Sequence, residues 1–226
     1  MDFALKALIV ALVLLVISFI SYKMKSWNKT GILLGNAVGI AAFLLGGLKA
    51  FAFIFVLFIF TELGTRYGRR HKKQRFEKRG TLNILGNSLA ALIALFFQNY
   101  VAFASAVSCA LSDTLSGELG MMTGRKPRLI TTMEKVEVGE EGAVTFFGLV
   151  AGLVSAFIVA AIYFVLFTQS MNALIIITVA GFLGSIADSF FGALLERKKI
   201  IGNTLTNFLA SSTSVLLAVY LLGVLV

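Results

Sequence analysis

Apolar runs of membrane-crossing length follow one another almost without pause along this chain. A helix rises 1.5 Å per residue, so about 20 apolar residues cross the roughly 30 Å hydrocarbon core of a bilayer. Runs near that length occupy residues 3–21, 31–48, 50–66, 82–98, 100–117, 143–168, 171–195 and 204–226. Backbone polar groups in hydrocarbon must be satisfied within their own segment, so such runs are helices. The expected fold class is all-α: a polytopic transmembrane helical protein of about eight spans, one domain over residues 1–226. Composition agrees. Soluble domains are about 45–50% apolar and about 25% charged; this chain is 58% hydrophobic and 14% charged. Residues 3–21 are too long for the apolar core of a signal peptide and lack a small-x-small cleavage site, so they read as a retained first helix.

The charges support eight crossings. Of the 20 Lys and Arg residues, 18 fall in alternate connections: Lys23 to Lys29, Arg66 to Arg79, Arg125 to Lys135, and Arg197 to Lys199. Only Lys6 and Lys49 lie elsewhere. Eight spans gather these cations on one face, and the positive-inside rule makes that face cytoplasmic, with both termini outside. Merging the second and third runs through "GGLKA" (46–50) would split the basic connections between two faces. The expected location is a cell membrane, multi-pass. Two cytoplasmic connections stand out: a basic one at 66–81 and a polar one at 118–142. The first reads as a topology signal and a contact for anionic lipid. The second is too charged to span and too long for a plain turn, and its "RLITT" stretch (128–132) has strand-like or docked character. The net charge of +9 follows from these connections. No aromatic-interleaved basic domain stands outside the spans, so no nucleic-acid partner is expected. One Cys and one His exclude an intrachain disulfide and the usual Cys- or His-based metal clusters.

Chemistry concentrates where apolar runs end. Asp113 and Asp188 occupy the last turns of two spans, and Glu118 follows the first. Carboxylates within membrane segments are costly and mark function by default. A salt bridge to a basic connection is the plainer explanation. Ser105, Ser108, Ser112 and Ser116 step along one face toward Asp113, and Gly181, Gly184, Ser185 and Gly192 do so around Asp188. Close helix packing accounts for small residues but leaves the acids unexplained. Two carboxylates beside a polar surface suit Mg²⁺, which takes one or two carboxylates plus substrate phosphates. Arg125, Lys126 and Arg128 follow Gly120 and Gly124 and could neutralise phosphate, while the glycines admit close backbone approach. No Walker-type phosphate loop is present. Asn83 with Asn87, and Asn203 with Asn207, are pairs one turn apart at helix starts. Capping explains one member of each pair; nucleotide contact, metal ligation or interhelical bonding remain for the other. "SDTLSGEL" (112–119) echoes "ADSFFGAL" (187–194), as duplicated halves or by chance.

Several of these motifs, in order, resemble the DUF92 family of integral membrane proteins: "LGTRYG" (63–68), "LNILGNSLAAL" (82–92), "ALSDTLSGELG" (110–120), "KPRLITT" (126–132), "VEVGEEGAVTFFG" (136–148), "GFLGSIADSFFGA" (181–193) and "NTLTNFLAS" (203–211). The resemblance covers about residues 30–215. That family includes the plant phytyl-phosphate kinase, so the resemblance implies a CTP-dependent isoprenoid phosphate kinase. Asp113 and Glu118 match the family's Asp-Thr-x-x-x-Glu motif, and Asp188 matches its second aspartate. Where the family usually has Trp-Ala before the glutamate, this chain has Leu115, Ser116 and Gly117.

The resulting expectation is a membrane-bound kinase whose site lies at the cytoplasmic membrane edge. It would move a phosphoryl group from CTP to a prenyl monophosphate, giving the diphosphate, with Mg²⁺ held by Asp113, Glu118 and Asp188. Catalytic roles are expected for Asp113, Glu118, Arg125, Lys126 and Arg128. Nucleotide or substrate contacts are expected from Asn83, Asn87, Ser112, Thr114, Gly117, Gly124, Ser189, Asn203 and Asn207. The alternatives are a prenol kinase, a lipid cytidylyltransferase and, in another class, a lipid-phosphate transporter or flippase.

Overall fold

The computed structural model describes residues 2–23, 27–71, 82–122 and 126–225. Seven α-helices follow in order: α1 (Phe3–Lys23), α2 (Lys29–His71), α3 (Asn83–Phe96), α4 (Tyr100–Met122), α5 (Phe146–Leu166), α6 (Met171–Phe191) and α7 (Asn203–Leu225). A π-helical turn, Gly192–Glu196, extends α6. The protein is an all-α polytopic membrane protein, and α1, α2, α5, α6 with its extension, and α7 are each long and apolar enough to cross a bilayer.

The 43 residues of α2 are not one rod. At Gly47 the backbone takes φ 69°, a value that favours glycine, and the helix breaks there. The break is a reversal. The Trp27 indole N–H donates to Glu62 Oε2 at 3.2 Å, although a straight helix would hold these residues about 50 Å apart. A Cβ on Gly39 would lie 3.4 Å from the Phe51 ring, so the two arms lie side by side. The described residues thus form eight helical segments, and "GGLKA" is a bend between two of them.

The bonds between elements sort the ends of the helices into two groups. Thr204 Oγ1 donates to Asn83 Oδ1 at 3.3 Å, and Arg197 pairs with Glu140 at 3.1 Å. These join the starts of α3 and α7, and the connection after α4 to the end of α6. With the Trp27–Glu62 bond they define one end, where the basic connections lie. At the opposite end Gln98 Nε2 donates to the Leu45 carbonyl beside the α2 bend, Asn172 Nδ2 donates to the Leu225 carbonyl, and the Phe3 ring stacks on Phe43. Phe3 and Leu225 therefore share the end that Lys49 occupies.

Helix α4 is the central post, packed against α2, α3, α5, α6 and α7. Its small residues let the neighbours approach closely. Ser112 Oγ donates to the Gly152 carbonyl at 2.9 Å, and Ser214 Oγ to the Ser105 carbonyl at 2.8 Å. Gly181 lies so close to Ser108 that a side chain there would collide with it. The serine stripe read from the sequence is thus the packing face of α4. Toward the far end, Phe53 and Phe103 are fully buried beside Tyr163, which stacks on Phe167 at 4.8 Å.

Three boundaries differ from the expected ones. α4 continues to Met122, so Glu118 stands in helix and the polar connection starts later than residue 118. Gly117 and Gly120 are tolerated there because no proline interrupts the run and because Gly120 packs against Gly148, 3.3 Å from its Cβ position to that Cα. α5 starts at Phe146 with Thr145 as its cap, accepting from Gly148 N; residues 143–144 form a strand. α3 has only 14 residues, or about 21 Å of helix.

From residue 126 the polar connection folds into a hairpin. Strand β1 (Arg128–Leu129) pairs antiparallel with β2 (Ala143–Val144), and Arg128 also bridges to Lys135. Leu129 is buried beneath this hairpin. Gly142, at φ 75°, rests on Gly192 and Ala193 so closely that any Cβ would strike Ala193. The "RLITT" stretch is therefore partly strand and belongs to a docked hairpin.

Candidate functional site

Asp113 and Asp188 lie on α4 and α6 one turn beyond a close contact between those helices. These helices run in the same direction, and a Cβ on Gly184 would lie 2.9 Å from Cys109 Sγ. Each aspartate is one turn beyond that contact, four residues on from Cys109 and Gly184 respectively, on the same helical face. The Ser112 and Ser185 hydroxyl oxygens, 2.8 Å apart, clasp the same seam. Both aspartates are half-buried at the basic end.

Helix α7 brings the asparagines to the same level. From the Ser214–Ser105 bond, Asn207 and Asp113 lie about 10–12 Å further toward the basic end, on antiparallel helices. Asn207 is buried and its Nδ2 donates to Asn203 Oδ1 at 3.2 Å. Gly86 of α3 packs on the Thr204 carbonyl and lies 3.1 Å, Cβ position to Cβ, from Asn207. The starts of α3 and α7, with Asn83, Asn87, Asn203 and Asn207, therefore adjoin each other beside the aspartates. Asn83 and Asn203 are each engaged by a neighbouring side chain.

Other expected residues fall differently. Glu118 is 6% exposed, but five helical residues turn it about 140° around α4 from Asp113. No three His, Cys, Asp or Glu side chains among the described residues converge as a metal-binding group. Asp113, Glu118 and Asp188 thus do not form the expected three-acid nest. Thr114 is buried and donates to the Ala110 carbonyl at 2.8 Å. Ser112 is buried in the seam, and Ser189 is half-buried one residue past Asp188. Gly117 is exposed, and a Cβ there would meet nothing within 4 Å. Lys126 is exposed and pairs with Glu137 at 3.1 Å, while Arg128 Nη1 donates to the Met133 carbonyl at 2.6 Å. Both expected cations are thus engaged within the hairpin. Gly124 and Arg125 lie outside the described residues, as do residues 72–81 of the basic connection.

The fold adds groups that sequence reading had counted only as surface charge. The hairpin sets Glu140 and Glu141 against Glu196, Arg197 and Lys199 at the end of α6, around an open cavity of about 410 Å³. Partial burial, then the carboxylates of Glu196, Asp113 and Glu140, push the Glu141 carboxyl up to about 7. Gly142, next to Glu141, packs on Gly192, one helical turn beyond Asp188. The acid-rich "VEVGEEG" was visible in the sequence, but only the docking of Gly142 brings it to Glu196.

Together these features define a polytopic helical membrane protein with two half-buried aspartates at its basic end. The chain belongs to the DUF92 family of integral membrane proteins, whose model matches residues 12–215. It is 32% identical to an uncharacterised membrane protein of Methanocaldococcus jannaschii, over 93% of this chain and 92% of that protein. It is 29% identical to Protein PGR of Arabidopsis thaliana, over 82% of this chain and 80% of that one. With the chloroplastic protein VTE6 of the same plant it shares 26% identity, over 81% and 64% respectively. No solved structure matches the chain.

Proposed function

We propose that this protein is a CTP-dependent kinase of isoprenoid phosphates, working at the cytoplasmic edge of a membrane. The observation that carries this reading is the close packing of α4 on α6, one turn beyond which each helix carries a half-buried aspartate, Asp113 and Asp188. Membership of a family that includes the plant phytyl-phosphate kinase supports the substrate class. The positive-inside rule supports the assignment of the basic end to the cytoplasm.

Phosphoryl transfer is mostly positioning and charge neutralisation. A prenyl monophosphate oxygen is already anionic, so it attacks the γ-phosphorus of CTP without a strong base. The bond from that phosphorus to the β–γ bridging oxygen breaks, and CDP leaves. Two half-buried carboxylates with substrate phosphate oxygens are a donor set of the kind Mg²⁺ favours, and Asp113 and Asp188 would be the ion's protein ligands. Bound there, the ion would neutralise charge on the nucleotide phosphates. Asn207 and Asn203 offer uncharged hydrogen bonds at the same level, and Arg197 and Lys199 carry positive charge at the segment that follows α6. The prenyl tail would remain in the lipid around the bundle.

The test is purified protein in detergent with Mg²⁺, labelled CTP and a panel of prenyl monophosphates and prenols. Prenyl diphosphate with CDP is expected. Release of pyrophosphate with a CMP-lipid would replace this reading by cytidylyl transfer. Movement of a lipid phosphate that requires sealed vesicles, without transfer, would replace it by transport.

A further inference from the structure

We propose that the cavity between the Glu137–Glu141 turn and the Glu196–Lys199 segment binds the ribose and base of the nucleotide donor. This rests on the kinase reading and assigns a subsite within it. The cavity's volume of about 410 Å³ falls within the about 300–1,000 Å³ range of small-molecule sites. Its charges are partly spent: Glu137 pairs with Lys126, and Glu140 with Arg197. Glu196 is different. Its Oε2 is buried and has no hydrogen-bond partner among the described residues. A buried acceptor left without a donor is costly, and a ligand that donates hydrogen bonds would relieve it.

The lining selects the part of a nucleotide that would enter. Glu141 and Glu196 repel a triphosphate but accept from ribose hydroxyls or from an exocyclic amino group, which are uncharged donors. The phosphates would be turned away from these carboxylates. Gly142, next to Glu141, packs on Gly192, one helical turn beyond Asp188, so the cavity adjoins the aspartate seam, where the phosphates have their proposed site. The cavity wall is the docked hairpin on one side. On the other it is the π-helical turn and Lys199, held at φ 58°.

Cytidine, which has no phosphate, is the probe. Saturation-transfer NMR on the full chain in detergent should detect cytidine binding, and Glu196→Ala should abolish it. Kinetically, Glu196→Ala and Glu141→Ala should each raise KM for CTP about tenfold, a loss of roughly one hydrogen bond to a charged group. KM for the prenyl phosphate should stay within about twofold. If Glu196→Ala does not fold, Glu141→Ala alone decides, since that residue is exposed on the hairpin. Absence of cytidine binding to wild type, or an unchanged KM for CTP in the folded variants, would overturn the subsite and leave the kinase reading standing. Wild type that transfers nothing from any nucleotide would sink the kinase reading. Cytidine binding lost in Glu196→Ala would then still uphold a nucleoside site.

Discussion

Ser112 and Ser185 place their hydroxyl oxygens 2.8 Å apart across the seam of α4 and α6, and Ser112 also bonds the Gly152 carbonyl of α5 at 2.9 Å. Asp113 follows Ser112 directly, and Asp188 stands three residues beyond Ser185. The serines therefore set the spacing at which those carboxylates can share a ligand. Interhelical side-chain bonds in membranes are worth only about 0.6 kcal/mol on average, so Ser112→Ala should leave stability almost unchanged. Ser112→Leu must force a branched side chain into a closed contact, which costs about 1–3 kcal/mol. Activity should fall much further in the leucine variant. Equal activity in both would mean that the seam does not set the site.

Asp113→Asn and Asp188→Asn each remove one charge and keep the shape. Each should lower phosphoryl transfer by about hundredfold or more, the scale of losing a group that stabilises developing charge. Unfolding temperature in detergent should change little, and calorimetry should show weakened Mg²⁺ binding in the presence of nucleotide. Glu118→Gln, about 140° around the helix, should lower Mg²⁺ affinity less than either. Full activity in Asp113→Asn would refute the proposed site.

The reversal at Gly47 predicts a topology. Lys29 and Lys49 stand at opposite ends of the bundle although 20 positions apart. In a Cys109→Ala background, single cysteines at Lys29 and Lys49 should react with an impermeant thiol reagent from opposite sides of oriented vesicles. Labelling of both from one side would mean that the first arm of α2 does not cross.

Much of this architecture was legible in the sequence because bilayer thickness fixes run length and the cations alternate. Gly47 could be suspected from Gly46, Gly47 and Lys49, whose charge makes a continuous span costly. The aspartates were legible because acids in apolar runs are rare. What the sequence hid depends on distant contacts. Nothing local in "SGELGMM" says that Gly120 will pack on Gly148, so the end of α4 was placed too early. Likewise Lys126 and Arg128 read as phosphate ligands until the hairpin paired one with Glu137 and the other with a carbonyl. Arg197, read as a topology charge, gained a neighbour in Glu140 only through the docking of Gly142.

That docking is itself testable. Gly142 needs both its φ of 75° and the absence of a side chain against Ala193. Gly142→Val meets strain and collision together, and residues held at unfavourable φ cost about 1–3 kcal/mol. The hairpin should lift from α6 while the bundle stays folded. Hydrogen exchange should rise in residues 128–144 and remain slow in α4 and α6. Unchanged exchange in the hairpin would mean that other contacts hold it.

The same hairpin should make stability depend on pH. The Glu141 carboxyl is raised from 4.5 to about 7 by partial burial and then by Glu196, Asp113 and Glu140. A carboxyl raised in the folded state holds its proton there after the unfolded chain has released it. Between pH 4.5 and 7 the native state thus binds more protons, and stability falls as pH rises through that window, then levels off. Glu141 keeps part of its surface in solvent, so screening makes the effect smaller than the full shift would give. Glu141→Gln cannot ionise. Its unfolding temperature should decline less than that of wild type between pH 4.5 and 7, and the two curves should run parallel above about pH 8. Parallel curves across the whole range would show that Glu141 does not feel the carboxylates that the docked hairpin brings to it.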